Sequence, residues 1–150
     1  MIKVNVAIDN KQWLKKVKNP KKYLTQKLKK ISKLLKLKKK IILTVLLTNS
    51  VRLKKLNKKF RKKNKTTDVL SFPFYNSKNL KLKKNKPNYI GDIAISYEII
   101  NSRCKTNFFF LEFDKVWIHG FLHLLGYNHI KNKDHFKMDK IEKKILNAIS

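Results

Sequence analysis

One short segment restricts this chain more than any other. It reads His119-Gly120-Phe121-Leu122-His123-Leu124-Leu125-Gly126-Tyr127-Asn128-His129. Two histidines four residues apart on a helix share one face, about one turn apart, where both rings can grip one ion. Gly126 follows three residues later. A glycine there can take a left-handed conformation, stop the helix and turn the chain back. His129 can then approach the same ion from outside the helix. Three neutral imidazoles suit zinc and leave one coordination position open for chemistry, where a water's pKa falls towards about 7. The chain has only four histidines, and three of them fall in this segment. We therefore expect His119, His123 and His129 to hold one Zn2+. The fourth, His135, sits in a polar stretch and reads as a surface residue.

The remaining composition sets the frame for that site. At 150 residues the chain fits a single domain, which we assign to 1–150. Apolar residues make up 42% and aromatics 11%, too many for a disordered chain. Cys104 is the only cysteine, so no internal disulfide is possible. The start of the chain lacks the apolar core of a signal peptide, and the apolar run from Ile41 to Leu47 is too short to span a bilayer. A soluble cytoplasmic protein is expected. The formal net charge is +29, which points to a polyanion such as RNA. Of the 38 basic residues, however, only Arg52, Arg61 and Arg103 are arginine. Lysine, asparagine and isoleucine abound while glycine and proline are scarce, the skew that A+T-rich codons produce. Charge alone therefore does not settle the partner.

The hydrophobic pattern implies both strands and helices. Ile2, Val4, Val6 and Ile8 alternate as in a half-buried strand. Asn19-Pro20 reads as a helix start, followed by a stripe of Leu24, Leu28, Ile31 and Leu35. Ile41–Thr48 reads as a buried strand, Ser50 to about Arg61 as a helix, and Asp68–Phe74 as a strand ended near Pro73. A lysine-rich loop is expected over Asn76–Asn88, then a strand over Tyr89–Ser96. A short helix near Tyr97–Cys104 and a long one from about Phe108 to Leu125 follow. Phe113, Trp117, Phe121 and Leu124 recur at helical spacing and read as core. Asp134 is a candidate cap for a last helix carrying Met138, Ile141, Ile145 and Ile149 on one face. The fold class is α+β, a single mixed β-sheet of about four strands with helices packed against it.

The histidine spacing H-x3-H-x2-G-x2-H is that of the metzincin zinc proteases. Those carry glutamate after the first histidine as general base. Here that position is Gly120, and no acid lies between the histidines. The cradle is present without the base that peptide hydrolysis in that class requires. Glu112, seven residues before His119, is roughly on the same helix face and reads mainly as a helix-terminal acid.

The segment resembles the signature of the YbeY family of bacterial endoribonucleases, H-G-x-L-H-L-x-G-Y-D-H. A second block agrees: Leu56-Asn57, Phe60-Arg61 and Thr67-Asp68-Val69-Leu70-Ser71-Phe72-Pro73 look like L-N-x-x-[YF]-R … T-[DN]-V-L-S-F-P. Gly91-Asp92-Ile93 matches the family's G-D-I strand. The resemblance implies a zincin-like fold and a metal-dependent, single-strand-specific endoribonuclease. It also implies action in maturing the 3′ end of small-subunit ribosomal RNA and in ribosome quality control. Its zinc ligands map onto His119, His123 and His129, and its functional arginine onto Arg61. One position departs: the usual aspartate before the last histidine is Asn128, which accepts a hydrogen bond but cannot accept a proton in the same way.

Arg61 also has a physical case. A guanidinium holds two phosphate oxygens in a geometry that lysine cannot reproduce. Asp68 and Ser71, in the same block, either shape the site or brace a turn. The expected partners are single-stranded RNA, ribosomal RNA and the ribosome, with no membrane. Two other classes remain open on sequence: a zinc peptidase, if Asp68 or Asp92 supplies a base, and a non-catalytic ribosome-binding protein with structural zinc.

Overall fold

The computed structural model describes residues 1–75, 81–104 and 108–150. Four strands build one sheet: β1 (Ile2–Ile8), β2 (Ile41–Thr48), β3 (Val69–Pro73) and β4 (Asn88–Ser96). The helices among the described residues are α1 (Trp13–Lys16), α2 (Pro20–Leu34), α3 (Ser50–Arg61), α4 (Tyr97–Arg103), α5 (Phe109–Leu124) and α6 (Asn132–Ile149). The strand order is β1-β2-β4-β3. β1, β2 and β4 run parallel, while β3 pairs antiparallel with β4 at the edge. This is the mixed α+β sheet expected from sequence.

The pleat separates two faces with different cover. Ile41, Leu43, Val45 and Leu47 of β2 and Ile93 and Ile95 of β4 are buried in the main core. Leu24, Leu28 and Ile31 of α2, Phe113, Trp117 and Phe121 of α5, and Met138, Ile145 and Ile149 of α6 join that core. Each such large apolar side chain contributes roughly 1.5–3 kcal/mol by leaving water. Leu70 and Ala94 point the other way and pack with Leu53 of α3. A buried carboxylate ties two of the core helices. Asp114 of α5 accepts hydrogen bonds from Tyr23 Oη at 2.9 Å and Trp117 Nε1 at 2.8 Å. Burial pushes the Asp114 carboxyl above the usual carboxylate range, against the pull of those two donors and Lys27.

Local chemistry explains most of the boundaries. Asn19 Oδ1 accepts from Lys22 N at 3.1 Å with Pro20 at the first turn, the expected start of α2. Asn49 Oδ1 caps α3 in the same way, from Arg52 N at 2.8 Å. Asp134 does not cap α6: the helix begins at Asn132 after Lys131, and Asp134 lies inside its first turn. It therefore meets the helix dipole rather than a free end N–H at the cap. Of the expected loop, 81–87 contain no helix or strand, and 76–80 lie outside the described residues. Buried Asn88 ties that loop down, its side-chain N–H groups reaching the carbonyls of Lys40, Lys83 and Lys86.

β4 carries one irregularity beside the later site. Ile42 pairs Tyr89 and Leu43 pairs Gly91, so Ile90 is an extra residue in the ladder. Gly91 takes φ +138°, and a Cβ there would stand 2.2 Å from the Phe72 carbonyl oxygen on β3. Backbone cannot yield at that distance. Gly91→Ala is expected to lower unfolding free energy by roughly 3 kcal/mol or more, combining backbone strain and overpacking. Urea denaturation of the two proteins checks it; a midpoint unchanged from wild type would contradict the close approach.

Candidate metal centre

α5 ends in a way that its sequence dictates. Gly126, at φ +99°, donates from its N–H to His123 O at 3.0 Å, and Tyr127 N donates to Leu122 O at 3.0 Å. These two bonds form a Schellman cap around the left-handed glycine. The chain then turns back, braced by Asn128 Oδ1, which accepts from Ile130 N at 3.3 Å. Asn128 thus shapes the turn carrying His129 and makes no bond to a histidine ring. An aspartate could brace that turn equally well.

The turn brings the three expected histidines together. One ligand atom from each of His119, His123 and His129 lies within 4.8 Å of the others, a group that can hold a metal ion. His119 Nε2 and His123 Nε2 stand 3.0 Å apart. Their other ring nitrogens are already engaged. His123 Nδ1 lies 3.0 Å from the Tyr127 carbonyl, which can only accept, so Nδ1 carries the proton. His119 Nδ1 lies 2.5 Å from Glu142 Oε1 on α6 and donates to that carboxylate. The two Nε2 atoms therefore face one another across 3.0 Å, on the side of the rings away from Glu142 and the Tyr127 carbonyl. Burial and the neighbouring His119 lower the His123 imidazole to about 4, with the Tyr127 carbonyl opposing. Its ring is neutral at pH 7, the form that ligates metals. A zinc ion with ligands at 2.0–2.1 Å would separate tetrahedral nitrogens by about 3.4 Å, so the arrangement fits with a small adjustment.

Glu142 was not singled out in the sequence. It lies 23 residues from His119, and only the packing of α6 on α5 brings them together. The motif's own acids serve elsewhere. Glu112 pairs with Lys115 of its own helix at 3.4 Å. Asp68 pairs with Arg103 at 2.8 Å, and Asp92 accepts from Tyr89 Oη. His135 is exposed, as expected, with its ring 6.2 Å from that of His129.

Gly120 explains itself structurally. A Cβ at this position would meet Ile93 Cγ2 at 2.9 Å and Ser71 Oγ at 3.1 Å. The residue after the first histidine thus faces the sheet, with no room for a side chain. Ser71 Oγ donates to the Gly120 carbonyl at 3.2 Å and bolts β3 to α5. The same Ser71 accepts Arg61 Nη2 at its carbonyl, at 2.6 Å. Arg61 and the histidines consequently line one open cavity of about 990 Å³. Its acids Asp68, Glu112 and Glu142 are each paired, whereas Arg61, Lys63 and Lys65 have no acidic partner among the described residues. The wall beneath α3 is therefore cationic. No helix among the described residues is long and apolar enough to cross a membrane.

Known proteins resemble this chain over most of its length. The model of the family described as Endoribonuclease YbeY matches residues 7–150. An endoribonuclease YbeY of Pelagibacter ubique is 50% identical, over 99% of this chain and 97% of its own. One from Buchnera aphidicola of Acyrthosiphon pisum is 38% identical, over 97% and 92%. The solution structure of TM1509 from Thermotoga maritima superposes with a TM-score of 0.61 at 27% identity, over 99% of this chain and 89% of that one.

Glu142 yields a direct test. Glu142→Ala is expected to weaken divalent-ion affinity about 10–100-fold, because His119 loses the partner that fixes its tautomer and orientation. Competition against a chelator of known affinity measures this; equal affinities would leave Glu142 with no role at the site.

Proposed function

This chain belongs to the endoribonuclease YbeY family, and from that premise we propose that it is a zinc-dependent, single-strand-specific endoribonuclease that matures the 3′ end of small-subunit ribosomal RNA and acts in ribosome quality control. The observation that carries the zinc reading is the gathering of His119, His123 and His129, with one ligand atom of each within 4.8 Å of the others. Three ligands leave the ion open to substrate, unlike a closed structural site.

The chain's own residues then have distinct tasks. Glu142 and the Tyr127 carbonyl hold two rings in the tautomer that turns Nε2 towards the ion. When bound, zinc would supply Lewis acidity that stabilises negative charge growing on the phosphate oxygens. Arg61, held by the Ser71 carbonyl through one N–H, keeps further donors of its planar fork for phosphate oxygens. Lys63 and Lys65 attract the backbone without reading sequence. RNA strands that are unpaired bend into such an open cleft more readily than a duplex does. On this reading its partners are ribosomal RNA and the ribosome, in the cytoplasm.

The peptidase alternative is disfavoured by the site. Gly120 leaves no base after the first histidine, Glu112 pairs with Lys115, and Asp68 and Asp92 are engaged with Arg103 and Tyr89. A peptide substrate would also pair with a free strand edge. On β3 Arg61 occupies the Ser71 carbonyl, and Pro73 has no N–H to offer.

His123→Ala is expected to lose bound zinc and cleave single-stranded RNA at least about 100-fold more slowly. Arg61→Lys should keep the metal and lose about 100-fold in kcat, the scale of one missing charge-stabilising donor. Metal analysis with cleavage of single- and double-stranded RNA by each purified protein checks both. Loss of zinc with unchanged cleavage would sink the mechanism. Cleavage of a small-subunit precursor away from its 3′ end would remove the maturation role alone.

A further inference from the structure

The mouth of the cavity carries aromatic rings that the chemistry above does not use. Phe74 and Tyr75 follow directly on β3, and both line the same cavity as the histidines and Arg61. Phe74 is 67% exposed, a large apolar side chain left in water. A single exposed phenylalanine is ordinary, but this one is built into a supported cluster. Its ring stands edge-on to Tyr75 at 5.1 Å and to Tyr89 at 6.1 Å. Tyr89 is itself fixed, its hydroxyl bonded to Thr44 Oγ1 at 2.7 Å and to Asp92. The Phe74 backbone is pinned as well, its N–H donating to Ile90 O at 2.9 Å. The ring is thus held at the rim at little further entropic cost.

We infer that Phe74 and Tyr75 form a stacking platform for an unpaired base of the RNA strand entering the cavity. The inference rests on the endoribonuclease reading and adds to it the group that grips the base. Two chemistries meet at this rim. Arg61, Lys63 and Lys65, none with an acidic partner among the described residues, complement the phosphates, and flat aromatic faces complement the bases. Single-stranded nucleic acid presents both, and stacking accepts every base because each has a π-face. A duplex keeps its bases stacked on one another and cannot use the platform. The rings therefore select unpaired strands, while the metal centre and Arg61 act on the phosphate.

The test is binding, separated from cleavage. The full-length protein is titrated with a fluorescent 2′-O-methyl oligoribonucleotide of about 12 nucleotides, and with an abasic strand of the same length and charge. Phe74→Ala is expected to bind the base-bearing strand about tenfold more weakly and the abasic strand unchanged, the scale of one lost stacking contact. Phe74→Trp should keep wild-type affinity. Phe136→Ala, an equally exposed phenylalanine outside the cavity, should change neither. Equal binding of the base-bearing strand by wild type and Phe74→Ala would overturn the platform and leave the endoribonuclease reading standing. An equal loss on both strands would also overturn it, by showing a general effect on the cleft. A wild-type protein that binds neither strand would overturn both readings.

Discussion

The close seating of α5 on β3 and β4 at Gly120 is the constraint on which the site depends. The helix lies so near the sheet that a Cβ would touch Ile93 at 2.9 Å, and Ser71 Oγ bonds the Gly120 carbonyl in the gap. That contact sets the height and rotation of α5, and with them the directions of His119 and His123. Ser71 also fixes Arg61 through its own carbonyl. One residue of β3 therefore connects the Arg61 side of the cavity to the helix that carries His119 and His123. Two sequence blocks fifty residues apart look independent, yet a single buried serine couples them.

Scarce residue types mark where this chain is tightly specified. Its three glycines are Gly91, Gly120 and Gly126. Each stands where a side chain is excluded, by the Phe72 carbonyl, by the sheet, or by the left-handed turn. Its three arginines each hold a defined partner: Arg52 with Asp9, Arg61 with the Ser71 carbonyl, Arg103 with Asp68. Most lysines have no such partner among the described residues. A planar fork repays positioning in a way that a hydrated ammonium does not. The net charge of +29 is thus a poor guide to the site, whereas the few arginines and glycines are a good one.

Features governed by local chemistry were legible in the sequence. The four strands, the Asn19-Pro20 start, the Gly126 stop and the histidine cluster all follow from spacing and from residues adjacent in the chain. Long-range placement was not. Helix α1 is only four residues long and shows no period, but it buries Trp13 in the core, where its Nε1 donates to the Thr48 carbonyl at 2.9 Å. Glu142 sits on a helix read only for its apolar face, and its contact with His119 depends on how α6 rotates against α5. Asp134 looked like a cap because its residue type fits one, yet the chain enters the helix two residues earlier. Residue type suggests what a side chain can do, and tertiary packing decides whether it stands where that is useful.

The substitution at Asn128 shows how this matters for chemistry. Taken from sequence, the loss of an acid beside a metal ligand threatens proton transfer. In the fold, Asn128 faces its own turn and bonds Ile130 N, a task its amide oxygen performs as a carboxylate would. The carboxylate that does reach a histidine is Glu142, on another helix. It accepts from His119 Nδ1 and so holds the ring's orientation. Its negative charge therefore lies at Nδ1, across the His119 ring from the Nε2 that faces His123. The cavity's acids Asp68, Glu112 and Glu142 are each paired, with Arg103, Lys115 and His119. A phosphodiester, itself an anion, would meet there an arginine and two lysines that no acid neutralises among the described residues.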